Sequence, residues 1–263
     1  MTAPLDLAKL SVRQFAERFR GEMIPLSNTF SYFCASTPLS EDDLKEYLEE
    51  PVAALPPKLA LPKISILLVP YLERANGKER SSAKDRAVSK DREKPGGGDF
   101  VAMEKPADGK TANSAQVNLD GETVLAFALK DQEVAEYHYR FYHLLATVLG
   151  EKWSEETQTR YSRILREELS ADAHGEVDEP SWRLKQGHRR SQKGTAARSF
   201  QTYARQSFID TMTLYLHGIC CDIDVDTGPR QLPSRYLRKR LVALEEMFPP
   251  PAGYALFPEQ LEP

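Results

Sequence analysis

Cysteine is scarce in this chain: three in 263 residues, Cys34 and the adjacent pair Cys220 and Cys221. Their odd number and the lack of any C-x-x-C spacing exclude a disulfide framework and leave no zinc or redox motif, so the expected home is the cytoplasm. Histidine is nearly as rare, with five, which leaves little material for a multi-histidine site. Long apolar runs are also missing. The longest, 64–72, falls far short of the ~20 residues that cross a bilayer, and no charged or apolar leader follows Met1, so no membrane partner is expected. Neither charge sign dominates: 35 Lys and Arg against 39 Asp and Glu give a net charge of -4, which excludes a protein whose whole surface coats nucleic acid. Any such contact must be local. Absent too are the G-x-S-x-G nucleophile elbow, the phosphate loop G-x-x-x-x-G-K-[ST] and the H-E-x-x-H zinc helix.

What is present is ordinary globular composition, 41% hydrophobic and 28% charged, enough to fold one domain over 1–263. Its exceptions are a stretch of Lys, Arg, Ser, Asp and Gly at 73–98, which has too few apolar residues to offset its ordering entropy and is expected to be a disordered insertion, a flexible loop at 106–120, and a Pro-rich tail at 249–263. Three apolar runs, 64–69, 100–103 and 123–129, read as strands. Ser11 and Ser40 can start helices, the second expected to stop before Pro51. Helical periodicity fills 132–149, 153–169 with Ser154 as cap, 200–219, and the segment from Pro233-Ser234 to Phe248. Phe208, Met212 and Tyr215 mark 200–219 as the centre of the core. Strands interrupted by loops, with helices clustered after them, predict an α+β fold, mostly helical, with about three antiparallel strands.

Three stretches invite chemistry. Asp222-Ile-Asp224-Val-Asp226 has the alternating carboxylates of a calcium loop, but Thr227 and Pro233 stand where such a loop needs Gly and Glu. Ile223 and Val225 alternating with acids also suit a short strand. His138 and His143 lie five apart, on different faces of their helix, so they make no zinc pair; His138 is expected to pack and His143 to be solvated. The segment Asp172-Ala-His174-Gly-Glu176-Val-Asp178-Glu179 offers imidazole and carboxylate ligands at alternate positions, with no spacing that selects one ion. A metal-dependent hydrolase, intact or degenerate, would draw on His143, His174, Glu176 and Asp178; the competing reading is an acidic helix-to-loop junction. Cys220 and Cys221 are expected to be buried small hydrophobes.

The most informative local feature is charge. Between 183 and 205 the chain carries Arg183, Lys185, Arg189, Arg190, Lys193, Arg198 and Arg205 without one acid. A second cluster, Arg235, Arg238, Lys239 and Arg240, falls in the first turns of the last helix, where the dipole is already positive and a bound anion would relieve the misfit. Two destinations compete for these cations: the acids of 167–179 and Asp222, Asp224 and Asp226 inside the fold, or an external nucleic acid, phosphate or acidic protein. The working expectation is a non-catalytic binding protein whose anion or partner surface is built from Arg189, Arg190, Lys193, Arg198, Arg235, Arg238 and Lys239. No cofactor and no oligomeric state follows from these residues.

Overall fold

The computed structural model describes residues 10–35, 39–75, 99–192, 194–221 and 230–257. The chain has an α+β fold and divides into two compact units, the first comprising Met1–Glu49 and Leu61–Tyr137, the second Glu50–Ala60 and His138–Pro263. The insertion expected at 73–98 lies outside the described residues from 76 on, as does the end of the 249–263 tail from 258.

The first unit is built on a five-stranded sheet, in the order β1 (Ile24–Pro25), β2 (Phe30–Cys34), β3 (Ile64–Val69), β8 (Glu122–Ala128) and β7 (Ser114–Leu119). Here the expected small antiparallel sheet is corrected in size and in direction. Strand β3 runs parallel to both β2 and β8, while only the outer pairs are antiparallel. The central position explains the unbroken hydrophobic run Ile64-Ser-Ile-Leu-Leu-Val69: every residue of β3 is buried, as parallel strands covered on both faces require. A second sheet, three-stranded and antiparallel, orders β5 (Phe100–Ala102), β4 (Tyr71–Glu73) and β6 (Thr111–Ala112). Strand β6 of this sheet and β7 of the first fall inside what reads as a flexible loop at 106–120, because β6 has only two residues and β7 is half polar. The signal missed there is Asp120-Gly121: both take positive φ, 51° and 83°, and close a two-residue hairpin from Leu119 to Glu122.

Helix α1 (Val12–Phe19) starts with a capping box between Ser11 and Gln14 and buries Val12, Phe15 and Ala16 in a core shared with Leu67, Val69, Val124 and Ala126. A second capping box, between Ser40 and Asp43, starts α2 (Glu41–Leu44). The helical path does not stop before Pro51. It widens into a π-helical turn over Lys45–Glu49 and resumes as α3 (Glu50–Ala53), so the ring of Pro51 enters a locally re-registered helix.

The second unit is helical: α4 (Val134–Glu151, from His138 onward), α5 (Glu155–Ser170), α6 (Glu179–Arg189), α7 (Ala196–Cys220) and α8 (Ser234–Met247). Helix α7 is its centre, with Phe208, Met212 and Tyr215 at most 1% exposed. Helix α6 has no apolar periodicity to announce it; Asp178 caps it and Pro180 occupies its first turn. Helices α5 and α8 run side by side in opposite directions, held by Lys239–Glu167 at one end and Arg160–Glu246 at the other.

Candidate functional site

The cations of the second unit divide into two populations. One is buried. The Arg240 side chain is fully enclosed and donates to Glu168 Oε1 (2.9 Å), to Glu176 Oε2 (2.7 Å) and Oε1 (3.0 Å), and to Ser207 Oγ (2.8 Å). Lys185, also enclosed, reaches Glu176 (3.2 Å) and donates to the Gly175 carbonyl (2.7 Å), and the Tyr203 hydroxyl donates to Glu176 as well. Two positive and two negative groups close on one another with their hydrogen bonds satisfied. Against desolvation, which pushes it up, the Arg240 guanidinium and the Lys185 ammonium hold the Glu176 carboxyl down at about 2. Burial in turn pushes the Lys185 ammonium below its ordinary value.

Local backbone geometry sets this network. Gly175 has φ +73°, and a Cβ there would lie 2.1 Å from the Gln231 carbonyl oxygen. Without one, Glu176 bridges to Gln231 through Glu176 N–H to Arg230 O (3.0 Å) and Leu232 N–H to Glu176 O (3.0 Å). Three residues later α8 begins, and Arg240 meets Glu176.

The acids of 167–179 therefore take much of the basic run internally. Lys239 pairs with Glu167 at 2.5 Å, Arg183 with Glu179 at 2.8 Å, and Arg189 with Asp172 at 2.9 Å, Arg189 also donating to the Ala173 carbonyl. The second population stays outside. Arg190, which caps the end of α6, and Arg198, in the first turn of α7, are exposed and form no ion pair with another described residue. Arg235 lies over the Tyr236 ring at 4.7 Å and Arg238 over the Phe257 ring at 4.3 Å, both exposed. Lys193 lies outside the described residues.

Helix starts separate the two populations further. α1, α2, α5 and α6 begin at Ser11, Ser40, Ser154 and Asp178, whose side chains accept from the first backbone N–H groups. α7 and α8 begin at Thr195 and Pro233 with no side-chain cap and no acid in the first turn. Their first N–H groups, to which no side chain is an acceptor, and their dipoles point where Arg198, Arg235 and Arg238 already add positive charge. Beside the start of α7 a shallow cleft of about 420 Å³ is lined by Arg166, Leu169, His188, Ala197 and Phe200. Arg166 stacks over Phe200 at 4.7 Å, and burial pushes the His188 imidazole toward its neutral form. Arg166 escapes notice in the sequence because it sits among the acids of α5, outside both basic runs. The last turns of α5 border both clusters: Arg166 touches α7, and its neighbour Glu167 touches α8.

His143, His174, Glu176 and Asp178 are not brought together as ligands. Glu176 is saturated by Arg240, Lys185, Tyr203 and Ser207; His174 is exposed; Asp178 caps α6 and accepts from the Tyr139 hydroxyl (3.2 Å); and His143 stacks on Tyr139 with Thr213 near its Nδ1 (3.4 Å). The grouping that does form among the described residues joins His138, buried as expected, to Cys220 and Cys221, which are half-buried rather than enclosed. Through its hydrogen bond from Cys221, and with the Tyr142 hydroxyl and His138 beside it, the Cys220 thiol is pushed down to about 6 although burial opposes this; Cys221, holding the shared proton, is pushed up.

Among the described residues no helix is long and apolar enough to cross a membrane. No known protein family, curated protein or solved structure matches the chain.

Proposed function

We propose that the second unit is a non-catalytic binding module for polyanions, with phosphodiester chains of single-stranded nucleic acid as the ligand class and Arg190, Arg198, Arg235 and Arg238 as the contacts. One observation carries this reading: α7 and α8 start uncapped, without an acid, and with exposed arginines in their first turns, whereas α2, α5 and α6 each start with a side-chain cap and an acid in the first turn. Ring stacking holds the guanidiniums of Arg235 and Arg238 in plane at exposed positions, and a planar guanidinium matches the paired oxygens of a phosphate, a geometry lysine could not supply. Arg189 and Lys239, drawn on in the sequence reading, contribute less because Asp172 and Glu167 engage them.

The test is anisotropy of a labelled single-stranded oligonucleotide at low salt. Wild-type protein should bind with an affinity that falls steeply with salt, and the double variant Arg198→Glu, Arg238→Glu should lose binding while keeping its melting temperature. Absence of wild-type binding, or binding that survives the double reversal, overturns the proposal. Binding of inorganic phosphate with no preference for the oligonucleotide would instead assign the site to a small anion.

A further inference from the structure

Two ends of helices meet at a place that neither the network around Arg240 nor the basic surface uses. Helix α4 presents His138 in its second turn, and α7 ends at Cys220; Cys221 leaves the helix with an extended backbone (φ −127°, ψ 144°) while its N–H still bonds the His217 carbonyl (2.9 Å). That break in the helical path brings two consecutive side chains, which a continuous helix would splay ~100° apart, toward the same imidazole. Cys221 Sγ lies 3.3 Å from His138 Nδ1, and one ligand atom from each of His138, Cys220 and Cys221 falls within 4.8 Å of the others.

The geometry points to His138, Cys220 and Cys221 as the protein ligands of a zinc(II) site, with the fourth tetrahedral position left to solvent.

Donor set and spacing support this. Zn–S bonds of about 2.3 Å and Zn–N bonds of about 2.0 to 2.1 Å at tetrahedral angles separate ligand atoms by roughly 3.5 to 3.8 Å, so the three atoms need to move only by rotamer-scale amounts to share one ion. Two thiolates and an imidazole suit a borderline-soft ion and reject calcium and magnesium, which take oxygen ligands. The alternative of a disulfide within the pair is disfavoured by reach: consecutive Cα atoms stand about 3.8 Å apart, below the usual 4.4 to 6.8 Å of bridged cysteines. The thiols therefore stay available as ligands. Their surroundings fit ligation too. Tyr142, one turn after His138 on α4, sets its hydroxyl beside the Cys220 sulfur, where its single proton can go either to the Pro51 carbonyl (3.3 Å) or to a Cys220 thiolate, and an outer hydrogen bond of the second kind orients a thiolate ligand. Glu50 adds a carboxylate within electrostatic range of both sulfurs, so a dication would offset converging negative charge. Every one of these residues belongs to the second unit.

The test titrates reduced, metal-free full-length protein with cobalt(II), whose tetrahedral thiolate complexes show sulfur-to-metal charge-transfer and visible d–d bands. We expect both bands to saturate at one ion per chain, to vanish on adding zinc, and to be lost in Cys220→Ser and in Cys221→Ser while Cys34→Ser keeps them. A wild type that gives no thiolate bands with cobalt and retains no zinc through gel filtration overturns the assignment, as do bands that survive both serine variants. Retention of copper(I) with neither zinc nor cobalt also overturns it. His138→Gln should weaken binding and shift the d–d bands. Should that variant fail to fold, the serine variants, at half-exposed positions and nearly isosteric, still decide. A melting temperature raised by zinc in wild type but not in either serine variant supports the same conclusion without any spectroscopic probe.

Discussion

The two units bury different things. Among the described residues, the first unit buries no charged side chain: its buried polar side-chain groups are the hydroxyls of Ser11, Ser65, Thr123 and Tyr137, and its core is otherwise hydrocarbon from the sheet and α1. The second unit encloses Glu168, Glu176, Lys185, Asp210 and Arg240. Hydrocarbon burial is indifferent to pH and forgiving of conservative exchange, whereas an enclosed ionic network holds only while every partner stays present and ionised. The same chain therefore carries one region whose stability is set by area and another whose stability is set by charge.

Removing one member of the network should produce the largest effect. Arg240→Met strands Glu168 and Glu176 in the core, and we expect a loss of about 3 to 5 kcal/mol by denaturant unfolding, confined to probes in the second unit. A loss below ~1 kcal/mol would show that the network relaxes into solvent. In the first unit, Leu67→Ala on the buried face of β3 should cost about 2 to 5 kcal/mol by creating a cavity, and that cost should be the same at pH 4 and pH 7.

Acid separates the regions next. Glu176, with its carboxyl held near 2 against an ordinary 4.5, contributes stability that is complete above about 4.5 and is lost as pH falls toward 2. Asp210 works in the opposite sense. Burial raises its carboxyl to about 6, even though Ser181 and Gln206 hydrogen-bond to it, so the folded state keeps a proton that the unfolded chain has released, and stability falls as pH rises from about 3.8 to about 6. Over the same window the imidazoles of His217, pushed down by burial to about 4, and of His188, also pushed down by burial, lose stability as pH falls, so they oppose Asp210. The difference between wild type and Asp210→Asn isolates the carboxyl: the wild type should gain stability relative to the variant as pH falls from about 6 toward 4, and a pH-independent difference would show that Asp210 keeps no proton in the fold.

This contrast explains what could be read in advance. Strands at 64–69 and 123–129 and helices α4, α5, α7 and α8 were legible because apolar periodicity is a local property, which α6 lacks, and Ser11, Ser40 and Ser154 are local start signals that the structure uses. The parallel direction of β2, β3 and β8 was not, since it depends on where the intervening chain travels. Nor was the fate of each cation. Arg238, Lys239 and Arg240 are consecutive in sequence, yet one stacks on Phe257, one pairs with Glu167 and one is enclosed with Glu168 and Glu176, because successive helical residues point ~100° apart. The His138, Cys220 and Cys221 group was hidden because its first two members stand 82 positions apart, and no spacing rule spans that distance.

The smallest effects on stability should be the most informative about the surface. Arg189 and Arg198 lie nine positions apart in one acid-free run, but Arg189 pairs with Asp172 and the Ala173 carbonyl while Arg198 has no ion pair with a described residue. Arg189→Gln removes a partly exposed pair and should cost between 0 and about 1 kcal/mol, leaving oligonucleotide affinity and its salt dependence as they were. Arg198→Gln should leave stability within about 0.5 kcal/mol and yet weaken binding. It should also reduce the slope of log affinity against log salt by about 0.7, the contribution of one phosphate contact on a single strand. If instead Arg189→Gln lowers the slope and Arg198→Gln does not, then Asp172 yields its partner to the ligand, and the binding face centres on the end of α6 rather than on the uncapped start of α7.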